Sequence, residues 1–221
     1  MQLMADGGYI IVGTTGTTSL GDSSNDIYLI KTDAEGRELW SKKHGSSNRD
    51  DGDSVWPTAD GGYIIAGFTE TPKLLQPFTD SKFDSYLVKT DSEGNELWSK
   101  RFSRKYNDFG AVVRQTADDG YIVLGTTGID NDFDEASGVD TDIYLLKTDK
   151  AGHELWSKTY GGGDSPEDNE NGNALEVTAD GGYIFVGLTT SYISQSPAKL
   201  DFYDVYAIKT DAEGNTLPWG E

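Results

Sequence analysis

The densest chemistry in this chain lies in two runs of carboxylates. Residues 127–141, "TGIDNDFDEASGVDT", hold Asp130, Asp132, Asp134, Glu135 and Asp140 with no base among them. Residues 161–171, "GGGDSPEDNEN", add Asp164, Glu167, Asp168 and Glu170. Two unit charges about 4 Å apart interact by about 4 kcal/mol at an effective dielectric of about 20, so carboxylates this crowded must splay into water or share a cation. Ca²⁺, which takes roughly six to eight oxygen ligands from flexible loops, is the ion such a set would hold. Alternate acids Asp130, Asp132 and Asp134 can converge on one ion if the loop turns tightly, with Asp168 reaching in from the second run. The first run starts like a calcium loop but lacks the glycine of the sharp turn and has Thr141 where the closing Glu would stand, so it is no EF-hand. A solvated acidic rim is the competing reading.

Other reactive types are sparse. Two further segments carry apolar and aromatic side chains: Leu74, Leu75, Phe78 and Phe83 in 69–83, and Tyr192, Phe202 and Tyr203 in 190–203. Phe78, Tyr192, Phe202 and Tyr203 are the candidates for stacking on a sugar ring or anchoring a protein partner; folding back to cap the core is the alternative. His44 and His153 stand at unrelated places and are expected to be exposed. No phosphate-cradling "GxxxxGK" occurs. Among 38 acidic residues some pair falls at glycosidase spacing by chance, so proximity alone does not argue for hydrolysis. No catalytic residue is assigned.

The totals exclude several partners. The chain has 221 residues and a formal net charge of −20, which repels a nucleic-acid backbone or an anionic membrane. No stretch approaches the roughly 18 apolar residues of a membrane helix. There is no cysteine, hence no disulfide or thiol chemistry. Glycine is abundant (27) and proline scarce (6), which suits short strands and tight turns.

What positions the acidic loops is a repeat. "KTDAEGRELWSK" at 31–42 returns as "KTDSEGNELWSK" at 89–100 and "KTDKAGHELWSK" at 147–158, and more weakly as "KTDAEGNTLPWG" at 209–220. Tyr9, Tyr63, Tyr121 and Tyr183 head matching "GYIIVG"-type segments. In the second copy the pattern predicts strands over 53–58, 62–68, 84–90 and 95–101, rich in β-branched and aromatic residues and divided by Gly/Asp hairpin turns. Both faces of "YIIVG" are apolar, so each sheet should be covered on both sides. The period, strand count and two-sided burial indicate an all-β, β-propeller fold of four four-stranded blades, at about 1–44, 45–102, 103–160 and 161–221, in one domain.

The dodecamer resembles the tryptophan-docking repeat of quinoprotein (PQQ-type) β-propellers, which runs Asp, two residues, Gly, three residues, Trp. Here that is Asp33/Gly36/Trp40, Asp91/Gly94/Trp98 and Asp149/Gly152/Trp156; in the fourth copy Pro218 takes the Trp position and Trp219 follows it. The units also look like the "DGGYI…KTD…G…LW" repeats of uncharacterised prokaryotic surface and secreted proteins. The resemblance implies that Trp40, Trp98 and Trp156 dock structurally on the next blade. It does not extend to quinone chemistry, because the vicinal Cys pair beside that cofactor has no counterpart here.

Four units in register predict a monomeric ring closed on itself; the alternative is half of an eight-bladed ring formed by two chains. Strand order puts the short turns on one face and the long loops on the other, and repeats that keep their turns while varying one set of loops commonly bind there. The expectation is therefore a non-enzymatic binding or adhesion propeller, extracellular or on a prokaryotic cell surface. It would engage a protein or glycan through its acidic loop face, with no cofactor beyond Ca²⁺. A calcium-dependent lectin and a polysaccharide hydrolase or lyase are the alternatives.

Overall fold

A computed structural model of the chain describes residues 1–16, 25–71, 82–104, 107–129, 141–161, 170–189 and 204–217. Among these described residues fifteen strands form four antiparallel sheets in chain order. Blade 1 holds β1 (Gln2–Leu3), β2 (Tyr9–Gly16), β3 (Asn25–Thr32) and β4 (Glu38–His44). Blade 2 holds β5 (Asp50–Pro57), β6 (Tyr63–Glu70), β7 (Phe83–Thr90) and β8 (Glu96–Phe102). Blade 3 holds β9 (Asn107–Gln115), β10 (Tyr121–Ile129), β11 (Asp142–Thr148) and β12 (Glu154–Tyr160). Blade 4 holds β13 (Glu170–Val177), β14 (Tyr183–Thr189) and β15 (Asp204–Thr210). This is a propeller-like array of four blades. Its fourth sheet has three strands instead of the expected four. Among the described residues the outer edge of that sheet shrinks to a Thr210–Thr216 bridge and the Leu217 N–H donating to Lys209. The next residue is Pro218, which has no N–H to continue the ladder.

The recurring dodecamer is explained almost residue by residue. The Lys of "KTD", buried in blades 1 to 3 and half-buried in blade 4, ties the "ADGG"-type turn of its own blade: Lys31 to Asp6, Lys89 to Asp60, Lys147 to Asp118 and Lys209 to Asp180, with N–O distances of 2.9–3.0 Å. The Thr hydroxyl donates to the following Asp carbonyl, as Thr148 does to Asp149. That Asp closes the next hairpin, its carboxylate accepting N–H bonds from residues two and four ahead: Ala151 and His153 for Asp149, both at 2.8 Å. The Trp then leaves its blade. Trp40 packs on Tyr63, Trp98 on Tyr121 and Trp156 on Tyr183, with ring centroids 6.0, 5.9 and 6.1 Å apart.

Side chains alternate across each sheet, so every blade has a leading face, toward the next blade, and a trailing face. Ile10, Ile27 and Leu29 of blade 1 pack on Val55, Tyr63, Ile65 and Val88 of blade 2. Ile64, Ala66 and Leu87 of blade 2 pack on Val113, Tyr121, Val123, Tyr144 and Leu146 of blade 3. Ile122, Leu124, Ile143 and Leu145 of blade 3 pack on Leu175, Tyr183, Phe185 and Ile208 of blade 4. Three interfaces join four blades, whereas a self-closed ring has a fourth, between blade 4 and blade 1. Among the described residues blades 4 and 1 share no packing of this kind. Among the described residues no fourth interface of this kind closes the array, and the two-sided burial expected of every sheet holds for blades 2 and 3. The sequence pattern cannot show this, because the end blades carry the same apolar faces as the inner ones.

Candidate functional site

The strand ends that flank residues 17–24, 45–49, 71–82, 103–106, 130–141, 161–169 and 190–203 lie at one end of the sheets, opposite the short hairpin turns. The proposed cation ligands Asp130, Asp132, Asp134 and Asp168 lie outside the described residues, as do Phe78, Tyr192, Phe202 and Tyr203. Among the described residues no group of three or more His, Asp or Glu is arranged to hold a metal ion. What the structure describes on this face is its floor, the strand ends and the residues beside them.

The floor contains a repeated buried acid. Asp50, Asp108 and Glu170 occupy one repeat position where the inner strands begin, and each is fully buried. Asp50 accepts the Ser46 N–H at 2.5 Å and its hydroxyl at 3.0 Å. Asp108 accepts the Arg104 N–H at 3.0 Å and the Thr127 hydroxyl at 2.6 Å. Glu170 accepts the Thr189 hydroxyl at 2.6 Å. These carboxylates stitch the incoming loop to the strands, and burial raises the pKa of Asp50 and Asp108 against the opposing hydrogen bonds.

A second acid, Asp26, Asp84, Asp142 and Asp204, recurs near the start of the third strand of each blade. Asp84 accepts the Thr71 hydroxyl at 2.6 Å, with Lys82 and Arg101 nitrogens at 3.5 and 3.6 Å. Asp26 pairs with Lys43. Lys43 and Arg101 reach Asp26 and Asp84 from the adjoining outer strands.

Above the seam of blades 2 and 3 lies an aromatic cluster. Phe68, Phe83 and Phe109 are half-buried, with centroids 4.8 Å (Phe68–Phe109), 5.4 Å (Phe68–Phe83) and 5.7 Å (Phe83–Phe109) apart. The Arg49 guanidinium sits 5.6 Å from the centroids of Phe68 and Phe83 and donates to Asp51 at 2.7 Å. Ring faces attract a cation, and Asp51 fixes its orientation. The result is an apolar patch with a polar, planar rim. Beside it runs the inner edge of the blades, where β5 is bulged at Asp53. Burial of its surroundings, then the charge of Asp51, push the Asp53 carboxyl up to about 6. The side chain itself remains open to solvent, so this raised value signals crowding rather than a sealed site.

The turn face offers a cleft of 580 Å³ between blades 2 and 3, walled by Trp98, Tyr121, Gln115, Asp60, Lys89 and Lys150. Its main polar groups already serve the blades: Lys89 holds Asp60, and the Gln115 amide oxygen accepts the Ala59 N–H at 2.8 Å. The cleft repeats the docking geometry and leaves little free chemistry.

Two residues escaped the sequence reading. His44, expected to be exposed, is buried, and burial lowers its pKa. It occupies the outer-strand position of Phe102 and Tyr160 and does their packing; the repeat alignment carried that signal. His153 is exposed and pairs with Asp149 at 3.0 Å. Phe109 was missed because its counterparts in blades 2 and 4 are Asp51 and Asn171, so no repeated aromatic marked the position.

The carboxylates divide into two titrating sets with opposite consequences for stability. Burial alone would raise Asp118, but bonds from the Thr116 hydroxyl, the Lys147 ammonium and the Gly120 N–H hold it down to about 2. Asp6, Asp60 and Asp180 are lowered in the same way. Their contribution is complete above the ordinary carboxylate range and is lost as pH falls below it, through about 2 for Asp118. Asp50, Asp53, Asp108 and Asp142 are raised, so the folded chain takes up their protons before the unfolded chain does. Stability should therefore rise as pH falls from about 7 to about 4 and collapse below about 3. Thermal melting across pH should peak between about pH 4 and 6, and Asp53→Asn should flatten the rise around pH 6. A maximum above pH 7 would contradict the assignment.

Comparison with known proteins adds little beyond this geometry. No protein-family model matches the chain. It is 22% identical to the regulatory protein FlaEY of Caulobacter vibrioides over 93% of its own length, and spans 24% of that protein. A crystal structure of a protein of unknown function from Bacteroides caccae superposes with a TM-score of 0.44 at 10% identity, over 94% of this chain and 80% of that one.

Proposed function

We propose that this chain is a non-enzymatic binding module of the PQQ-like propeller type, from a prokaryotic surface or secreted protein, and that it grips a protein or glycan through its long-loop face. The observation that carries this reading is the Phe68/Phe83/Phe109 cluster with Arg49 oriented over it by Asp51. Aromatic rings beside a fixed guanidinium are the groups that concentrate binding energy at partner interfaces and stack on sugars. The cluster rests on a floor whose acids are locked by hydrogen bonds, so the patch is held rigidly and loses little entropy on binding. The net charge of −20 would repel polyanions and favour cationic or neutral partners.

A glycan array and a peptide display, each probed with wild-type protein and with Arg49→Ala, test this. The expected result is a ligand whose signal falls at least about tenfold in the variant with melting unchanged, the loss of one well-placed contact of about 1.4 kcal/mol. Wild-type and Arg49→Ala binding of equal strength would remove the patch from the interface. Loss of binding, and of melting temperature, on chelation would instead identify the calcium-dependent lectin, with Asp130, Asp132, Asp134 and Asp168 as the ligands to substitute. Turnover of a polysaccharide would overturn the non-enzymatic reading.

A further inference from the structure

The two end blades each leave one apolar face uncovered. On the leading face of blade 4, Val205 is 78% exposed, whereas its repeat counterparts Ile27, Ser85 and Ile143 are 0%, 2% and 0% exposed. Ile184, Val186, Leu188 and Ala207 on the same face are part-exposed, while Ile64, Ala66, Ile122 and Leu124 at matching positions are sealed. On the trailing face of blade 1, Leu3 is 67% exposed, and Tyr9, Ile11, Tyr28 and Ile30 are part-exposed. Their counterparts Tyr63, Ile65, Tyr86 and Val88 are buried under blade 1 itself. The docking series is unfinished on blade 1 as well. Trp40, Trp98 and Trp156 cover the turn glycines Gly94, Gly152 and Gly214 of the next blade, but Gly36 of blade 1 has nothing within 4 Å of where a Cβ would stand.

We propose that the leading face of blade 4 docks on the trailing face of blade 1 of a second copy of this chain, and reciprocally, so that two copies close a ring of eight blades. The molecule itself says what fits these surfaces. Blades of this sequence cover one another leading face to trailing face at three interfaces, and the two free faces are the fourth pair of the same series. The contact is head-to-tail, and such contacts close only when the rotation per copy completes a circle. Among the described residues four blades do not close on themselves, and two copies are the smallest assembly that can. Association brings together two chains of net charge −20. It should therefore strengthen with salt, whose Debye length is about 8 Å at about 0.15 M and about 3 Å at about 1 M.

Light scattering and sedimentation of the full chain over a concentration series test the proposal. The expected result is twice the chain mass, more fully populated at about 1 M salt than at about 0.15 M. Val205→Glu and Leu3→Glu alter side chains exposed in the single chain, so each should fold normally, as melting will show, and each should revert to the chain mass. An equimolar mixture of the two variants should recover part of the dimer, since one of its two interfaces is unaltered. That recovery separates head-to-tail docking from pairing of like faces. Single-chain mass at every concentration and salt, a Val205→Glu variant that still dimerises, or no recovery on mixing would each overturn the proposal. Species growing beyond two copies with concentration would overturn the closed ring.

Discussion

Replacing Trp98 by Ala is expected to lower stability by about 3 kcal/mol, the lower end of the range for large aromatic truncations because part of the indole remains open. For a chain of this size that shifts melting by roughly 6–12 °C. Trp98 is part of the core between blades 2 and 3, against Tyr121, with Phe102, Val113 and Leu146 in the same cluster. Its loss empties a site that two rigid sheets cannot collapse to fill. The neighbouring Leu97 is 58% exposed, and Leu97→Ala should stay within about 0.5 kcal/mol. Comparable small losses at both positions, in reversible urea unfolding with equal m-values, would remove the docking role from the Trp.

Gly152→Ala should cost about 2–4 kcal/mol, and Gly36→Ala only about 1–2. Both glycines sit in the left-handed region, at φ 77° and 80°, so alanine pays the same backbone cost in each. The difference lies across the interface. A Cβ on Gly152 would stand 2.8 Å from two ring carbons of Trp98, whereas one on Gly36 would meet nothing. Measured in a Val205→Glu background, the comparison is free of association between chains. The Trp98→Ala/Gly152→Ala pair should cost less than the sum of the single changes, because removing the indole removes the collision. Equal losses at the two glycines, or strict additivity of the pair, would show that Trp98 does not dock on that turn.

These substitutions also mark where the sequence stops being informative. The repeat fixes the blade: four strands in order, the turns between them, the Lys–Asp tie of each blade and the Trp that leaves it are all local or recur at constant spacing. The observed strands of blade 2, at 50–57, 63–70, 83–90 and 96–102, differ from the predicted ones mainly by a three-residue extension of the inner strand. That extension carries Asp50, a buried acid whose polar type reads as loop until the partners that satisfy it, Ser46 among them, are seen. The loop-face aromatics follow the same logic. Phe68, Phe83 and Phe109 are far apart in the chain and meet only because β6, β7 and β9 end side by side.

Burial is where sequence and structure part. Ile27 and Val205 stand at one repeat position in near-identical strands, yet one is sealed and the other almost bare. His44 is sealed where its type alone suggested water. Alternation in a strand says which side chains share a face, because that is a property of one backbone. Whether a face is covered depends on the neighbouring sheet, and so on how far each blade turns relative to the last. The sequence determined one blade pattern repeated four times; the tertiary structure decided that, among the described residues, one face of the first blade and one of the last stay uncovered, because coverage is set by packing between sheets and not by any residue within one.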